Sequence, residues 1–478
     1  MNSLNEDAMR PDRSMHAASA LTGLLLATAC GGYSAVTTVS PSEGMSAAEA
    51  AASVHVRAVA NTDSRLARTA DEVGLDPVTI LDRRIESGEV TLEFDETHGW
   101  LPALMTALEV PLSSQGFVAS RTSLQTDRIT PWTPRALYFN DDVYLGFVQE
   151  SPFLEIAAID PDEGAVFFTV TQFDGDRPLF KKETTTCLIC HESRAVTGGI
   201  SGVIMRSVLP DRYGYVVTSI HEGSVTDRTP FEERLGGWYV TGTHGAPGHV
   251  GNTLTPELAH EIPDVSRYLE DFDLSANGNV TSLHDRFDVT PYMSVHSDIV
   301  ALLVLGHQTR IHNLIISARE TATDAMTEQE GRLRSMGRDA PESGMLEATS
   351  QRIDGAVDRL LRDMLFVREA PMPGPVLGTS GYAEEFASWG PHDTQGRSLR
   401  DFDLETRLFQ YPLSFLIYSD AFDALPEVVL QRFYAGLVEV LEAVVPSEEY
   451  AHLDLPTRAA IVEILMDTKP DFAAARSR

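Results

Sequence analysis

The sequence predicts an α+β fold, mainly helical, with a small antiparallel β-meander around the segment Cys187–His191. Three observations predict it. Between Arg135 and Phe173 the apolar residues fall into short β-branched and aromatic runs divided by turn chemistry. From Ser297 onward the apolar spacing lengthens to that of amphipathic helices. Between these regimes stands the pentapeptide Cys187-Leu188-Ile189-Cys190-His191.

Taken in order, the chain divides into four expected parts. Residues 1–29 read as a lipoprotein-type signal peptide. The apolar run Ala17–Ala29 is too short to span a bilayer, and Cys30 follows Ala-Thr-Ala as in a lipobox. A start at Met9 would give this signal a better basic flank, through Arg10 and Arg13. Residues 30–62, rich in Ala, Ser, Thr and Val, read as a flexible tether. Residues 63–372 form the expected ligand-holding domain, and 373–478 a helical region packed on it.

Within that body, Asp63–Val90 and Leu101–Leu112 are expected to be helical. Strands are expected at Ala136–Asn140, Val143–Gln149, Phe153–Asp160 and Val166–Phe173, and again at Val203–Val208 and Tyr215–Ile220. The glycine-rich stretch Gly236–Asn252 holds His244 and His249. The strongest helix is Ser297–Arg319, with Ser297 as N-cap and His307 and His312 near its middle. Thr321–Thr349 reads as a solvated helical excursion, and Ile353–Val367 as a second amphipathic helix. Ala370–Gly396 reads as a long loop. Apolar helical stretches follow at Thr406–Asp420, Glu427–Val445 and Leu455–Thr468.

The pentapeptide is the C-x-x-C-H pattern of covalent c-type haem attachment. Two thiols three positions apart reach the vinyl groups on one porphyrin edge, and the following imidazole serves as an axial ligand. A structural zinc site would take about four ligands, and the sequence has no second cysteine pair. A redox C-x-x-C would not need the histidine. The expected cofactor is one covalent haem c on Cys187 and Cys190, with His191 on the iron.

What fills the sixth iron position decides function. His307 is the first choice for a second axial ligand, with His312, His296, Met293 and His244 as alternatives. With two protein ligands the haem serves electron transfer. With an open site it serves a peroxidase-like or other haem enzyme, in which Arg206 or Arg310 would stabilise developing charge and Trp238 would relay electrons.

The net charge of −33 argues against nucleic acid or anionic lipid headgroups as partners and suits a soluble acidic surface or a basic redox partner protein. The signal peptide and the haem motif together place the protein in the periplasm, anchored to the outer membrane through a lipidated Cys30.

The stretches CLICHESRAVTGGISGVIMRSVLPDRYG, RLGGWYVTGTHGAPGHVGN, SDIVALLVLGHQTRIHNLI and GRSLRDFDLETRLFQYPLSFLIYS extend the likeness beyond the motif. Together they resemble uncharacterised bacterial cytochrome c domain-containing proteins with a single C-x-x-C-H motif. The resemblance covers roughly Arg135–Pro470. It implies haem on Cys187 and Cys190 with His191 axial, and it brings no substrate. The family often has an acidic residue just before the helix histidine. Here that place is Gly306, which weakens any acid–base pair at His307.

Overall fold

The computed structural model describes residues 72, 74–270, 273, 277–341 and 344–477. The expected signal peptide, the tether and Cys30 lie outside the described residues.

Nine strands are present among the described residues. They are β1 (Gly116–Val118), β2 (Arg135–Phe139), β3 (Val143–Phe147), β4 (Phe153–Asp160), β5 (Gly164–Thr171), β6 (Phe180–Lys182), β7 (Val208–Pro210), β8 (Val216–Ser219) and β9 (Trp238–Tyr239). Seven of them form one antiparallel sheet in the order β6-β5-β4-β3-β2-β1-β9, and β7 and β8 make a separate ribbon. The fold is therefore α+β, as expected, but its sheet is larger than a small meander. The expected strands supply β2–β5. The additions, β1, β6 and β9, are only 2 or 3 residues long and carry no alternation of their own.

The helices described are α1 (Pro77–Glu86), α2 (Leu101–Ala107), α3 (Leu188–His191), α4 (Val265–Glu270), α5 (Ile299–Met336), α6 (Glu347–Met364), α7 (Tyr382–Ala387), α8 (Asp420–Asp423), α9 (Glu427–Glu442), α10 (Leu455–Thr468) and α11 (Pro470–Arg476). Asp76 caps α1, accepting from the Val78 and Thr79 amides.

Period-two alternation sends the sheet's side chains to two cores. Tyr138, Leu145, Phe147, Ile156, Phe168 and Val170 face one core, shared with α1, α2 and residues 283–293. Phe139, Tyr144, Ile159, Ala165 and Phe167 face the other, shared with α5 and the helices that follow it. Both faces of the sheet are thus covered.

α5 is the axis of the second core. Its most apolar stretch would be long enough to cross a membrane by length and composition alone, yet 89% of it is buried inside the fold. Each fully buried Leu or Ile here contributes about 2 kcal/mol of hydrophobic stabilisation. The cap lies one residue beyond the expected Ser297. Asp298 Oδ1 accepts from the Val300 and Ala301 amides, and its Oδ2 accepts from the Thr379 and Ser380 amides. Ser297 is instead pinned to the sheet, donating to Tyr239 O and accepting from Phe117 N. The helix runs on into the first half of the expected excursion and ends at Met336, with the φ of 60° at Gly337 supplying the left-handed C-cap.

The expected helix Thr406–Asp420 is not continuous. Pro412 interrupts it, and the described elements are a 3-10 turn at Phe415–Tyr418, capped by Ser414, followed by α8. The expected loop Ala370–Gly396 contains α7.

Candidate functional site

The pentapeptide forms the single turn α3, with Cys187 at its N-cap. The His191 amide donates to the Cys187 carbonyl at 3.1 Å, which closes the helical turn. Residues three apart on a helix are neighbours on one face, so the two sulfurs lie on the same side. Both thiols are free; Cys187 is partly buried and Cys190 exposed. Between them Ile189 leaves 76% of its surface bare. Burial first, then the Glu183 and Glu155 charges, push the Cys187 thiol up to about 11.

His191 is held from two sides. Its ring packs against Phe167 of β5, with centroids 4.5 Å apart. Its Nδ1 donates to the Gly202 carbonyl at 2.9 Å. That bond assigns the tautomer and leaves the Nε2 lone pair available. Burial lowers the pKa of the imidazole and outweighs the opposing pull of the Gly202 carbonyl, so the ring is neutral at physiological pH.

The Gly202 carbonyl is itself positioned by α5. Asn313 Oδ1 accepts from the Val203 amide at 2.9 Å, and its Nδ2 donates to the Val203 carbonyl at 2.7 Å. A Cβ at position 202 would collide with the Asn313 amide, so only glycine lets the strap lie this close. The order of support is α5, Asn313, the 202–203 strap, His191.

The expected second ligands do not gather at one point. His307 lies 1% exposed in the second core with both ring nitrogens engaged. Its Nδ1 donates to Asp227 Oδ2 at 2.8 Å, and its Nε2 meets the Ser414 hydroxyl at 2.8 Å. Phe366 stacks on the ring at 4.4 Å. Asp227 is deeply buried. Burial raises its pKa, but His307 and Arg234 outweigh this and hold the carboxyl below the usual range.

His312 stands over the same sheet face as His191. Its Nδ1 meets Tyr144 Oη at 2.8 Å. Tyr144 and Phe167, the supports of the two imidazoles, are both paired in register with Ala157 of β4. Gln308 Nε2 donates to Tyr144 Oη at 2.9 Å, leaving the phenol proton for His312 Nδ1. The His312 Nε2 is buried and has no hydrogen-bond partner. Burial pushes this imidazole down to about 3.

The remaining candidates lie elsewhere. His296 Nδ1 meets Thr379 Oγ1 at 3.0 Å. Met293 packs against the first core, on the far face of the sheet. His244 Nδ1 donates to Gly245 O at 2.6 Å, and its ring lies 4.8 Å from that of His249. Arg310 is paired with Asp363, Arg206 donates to Ser219, and Trp238 Nε1 donates to the Arg206 carbonyl.

Sequence reasoning missed Asn313, Gly202, Phe167, Asp227 and Ser414. Only Gly202 had a local signal, in the run Gly198-Gly199-Ile200-Ser201-Gly202 directly after the motif. Comparison with protein-family models, with curated proteins and with solved structures finds no match.

Proposed function

We propose that this chain is an exported single-haem c-type cytochrome acting in electron transfer, with the haem bound through Cys187 and Cys190 and His191 as axial ligand. One observation carries the reading: beside two free thiols on one helical turn, His191 already spends its Nδ1 on Gly202 and keeps Nε2 uncommitted. Metal-bound histidines are oriented this way, with the second nitrogen donating to a carbonyl or carboxylate. The donor set therefore fits a covalent haem, which when bound supplies one-electron chemistry.

The chain's own residues supply the rest. Asn313 and Gly202 fix the imidazole plane. Phe167 shields one side of the ring from water. The acidic surface, with a net charge of −33, offers a docking field to a basic redox partner. Export, a lipid anchor at Cys30 and a periplasmic location belong to the same proposal.

A second reading has an observation of its own. Coordination by His307 would break its bond to Ser414, because both of its nitrogens are engaged. That favours a sixth position held by another residue or left open, as in a peroxidase-like haem enzyme. Expression with a c-type maturation system, followed by ferric and ferrous absorption spectra with and without carbon monoxide, decides between the two. A low-spin spectrum indifferent to carbon monoxide supports the carrier. A high-spin spectrum that shifts supports the enzyme. The absence of covalent haem overturns both readings.

A further inference from the structure

Beside the row of side chains that supports His191, a polar row runs along the same face of the sheet. Ala157 pairs with Phe167, and two residues away Glu155 pairs with Thr169 on one side and Gly146 on the other. Glu155 is therefore the diagonal neighbour of Phe167, on which the His191 ring packs at 4.5 Å. Arg135 reaches across from β2, and its Nη1 donates to Glu155 Oε2 at 2.9 Å. A Cβ at Gly146 would lie 3.5 Å from both Arg135 Cδ and Glu155 Cβ, so the pair spans the bare backbone of the strand between them.

The two side chains are only 18% and 17% exposed. They do not form the two-bonded fork that arginine and carboxylate can make. Arg135 Nε and Glu155 Oε1 are buried and have no hydrogen-bond partner. An ion pair drawn this far from water adds little net stability, because desolvation offsets the attraction. Its field, in contrast, is weakly screened.

That field reaches both ends of the pentapeptide. At His191, after burial and the Gly202 carbonyl, Arg135 opposes the protonated ring and Glu155 favours it. At Cys187, after burial and Glu183, Glu155 pushes the thiol up.

We propose that the Arg135–Glu155 pair tunes the reduction potential of the iron held by His191, with Glu155 favouring the oxidised state and Arg135 the reduced. The proposal rests on the haem reading. One electron passes from the redox partner to ferric iron and gives ferrous iron, with no bond made or broken. The positive charge of the site falls by one. A neighbouring carboxylate opposes that change, and a neighbouring guanidinium assists it.

Potentiometric titration of the haem-loaded protein at pH 8, where an ordinary carboxyl is ionised, tests it. Glu155→Gln should move the ferric–ferrous equilibrium at least about threefold towards the reduced form. Arg135→Gln should move it at least about threefold towards the oxidised form. Arg135→Lys keeps the charge and should return most of the shift. A pair with a structural role alone would lower the melting temperature in both Gln variants without moving the potential in opposite directions. Glu155→Gln, which keeps an acceptor for Arg135, decides alone where Arg135→Gln does not fold. A loaded protein whose potential ignores the substitutions, or moves the same way in both, overturns the proposal and leaves the haem reading standing. If no covalent haem forms, the haem reading falls and this proposal with it.

Discussion

His191 Nδ1 and the Gly202 carbonyl lie 2.9 Å apart, and this contact depends on a residue of another element. Asn313 fixes the strap from α5 through both polar groups of Val203. Replacing Asn313 with Ala leaves two buried backbone groups unmatched, at about 2–4 kcal/mol. It also frees the imidazole to rotate. In haem-loaded protein, Asn313→Ala should therefore lower the melting temperature and also shift the midpoint potential. Asn313→Asp, which keeps one bond, should fall between. A lower melting temperature with an unchanged potential would make Asn313 structural only.

The two thiols differ before any haem is attached. Burial and nearby carboxylates push Cys187 up to about 11. At pH 8 only about one Cys187 thiol in a thousand is then ionised. Cys190 is exposed. Iodoacetamide should label Cys190 of the haem-free protein first, and the Cys187 rate should rise about tenfold per pH unit towards pH 11. Peptide mass spectrometry along a pH series checks this. Equal rates at pH 8 would contradict the burial of Cys187.

His307, Asp227 and Ser414 form a closed polar chain in the second core. Removing the imidazole with His307→Ala strands a buried carboxylate, a loss of about 3–5 kcal/mol. Asp227 titrates below its unfolded value, so its contribution is present above roughly pH 4 and lost as pH falls. That acid-side loss of stability should be reduced in His307→Ala. The haem absorption spectrum, taken at a temperature where the variant is folded, should not change. A change from low-spin to high-spin would assign His307 to the iron after all.

The parts of this molecule legible in the sequence are those whose signal is local. β2–β5 were visible because short β-branched and aromatic runs are divided there by turn residues, a signal carried within each strand and its flanks. The 2- and 3-residue strands β1, β6 and β9 exist only through pairing with distant partners. The Cys187–His191 turn was legible because its chemistry fits within five residues. Its support was not, since Asn313 and Val203 are 110 residues apart and Ser414 and His307 are 107 apart. Apolar composition at Thr406–Asp420 suggested a helix, but Pro412 and the Ser414 cap favour a turn. The Arg135–Glu155 pair gave no signal, because residues 20 apart in sequence meet only once their strands are paired.

Glu369 gives the fold a pH dependence opposite to that of Asp227. It is partly buried and accepts from the Leu408 amide at 2.9 Å. Burial, and then repulsion from Asp227, push its carboxyl up to about 8. An unfolded glutamate titrates near 4.3. The folded state therefore holds this proton more tightly, and its contribution is fully present below roughly pH 4. It declines as pH rises and is gone above about 8. Glu369→Gln keeps the acceptor and removes the titration. Between pH 5 and 8 the melting temperature of the wild type should fall relative to that of the variant, and above pH 8 the difference should be constant. Parallel melting curves across that range would place the Glu369 carboxyl near its ordinary value.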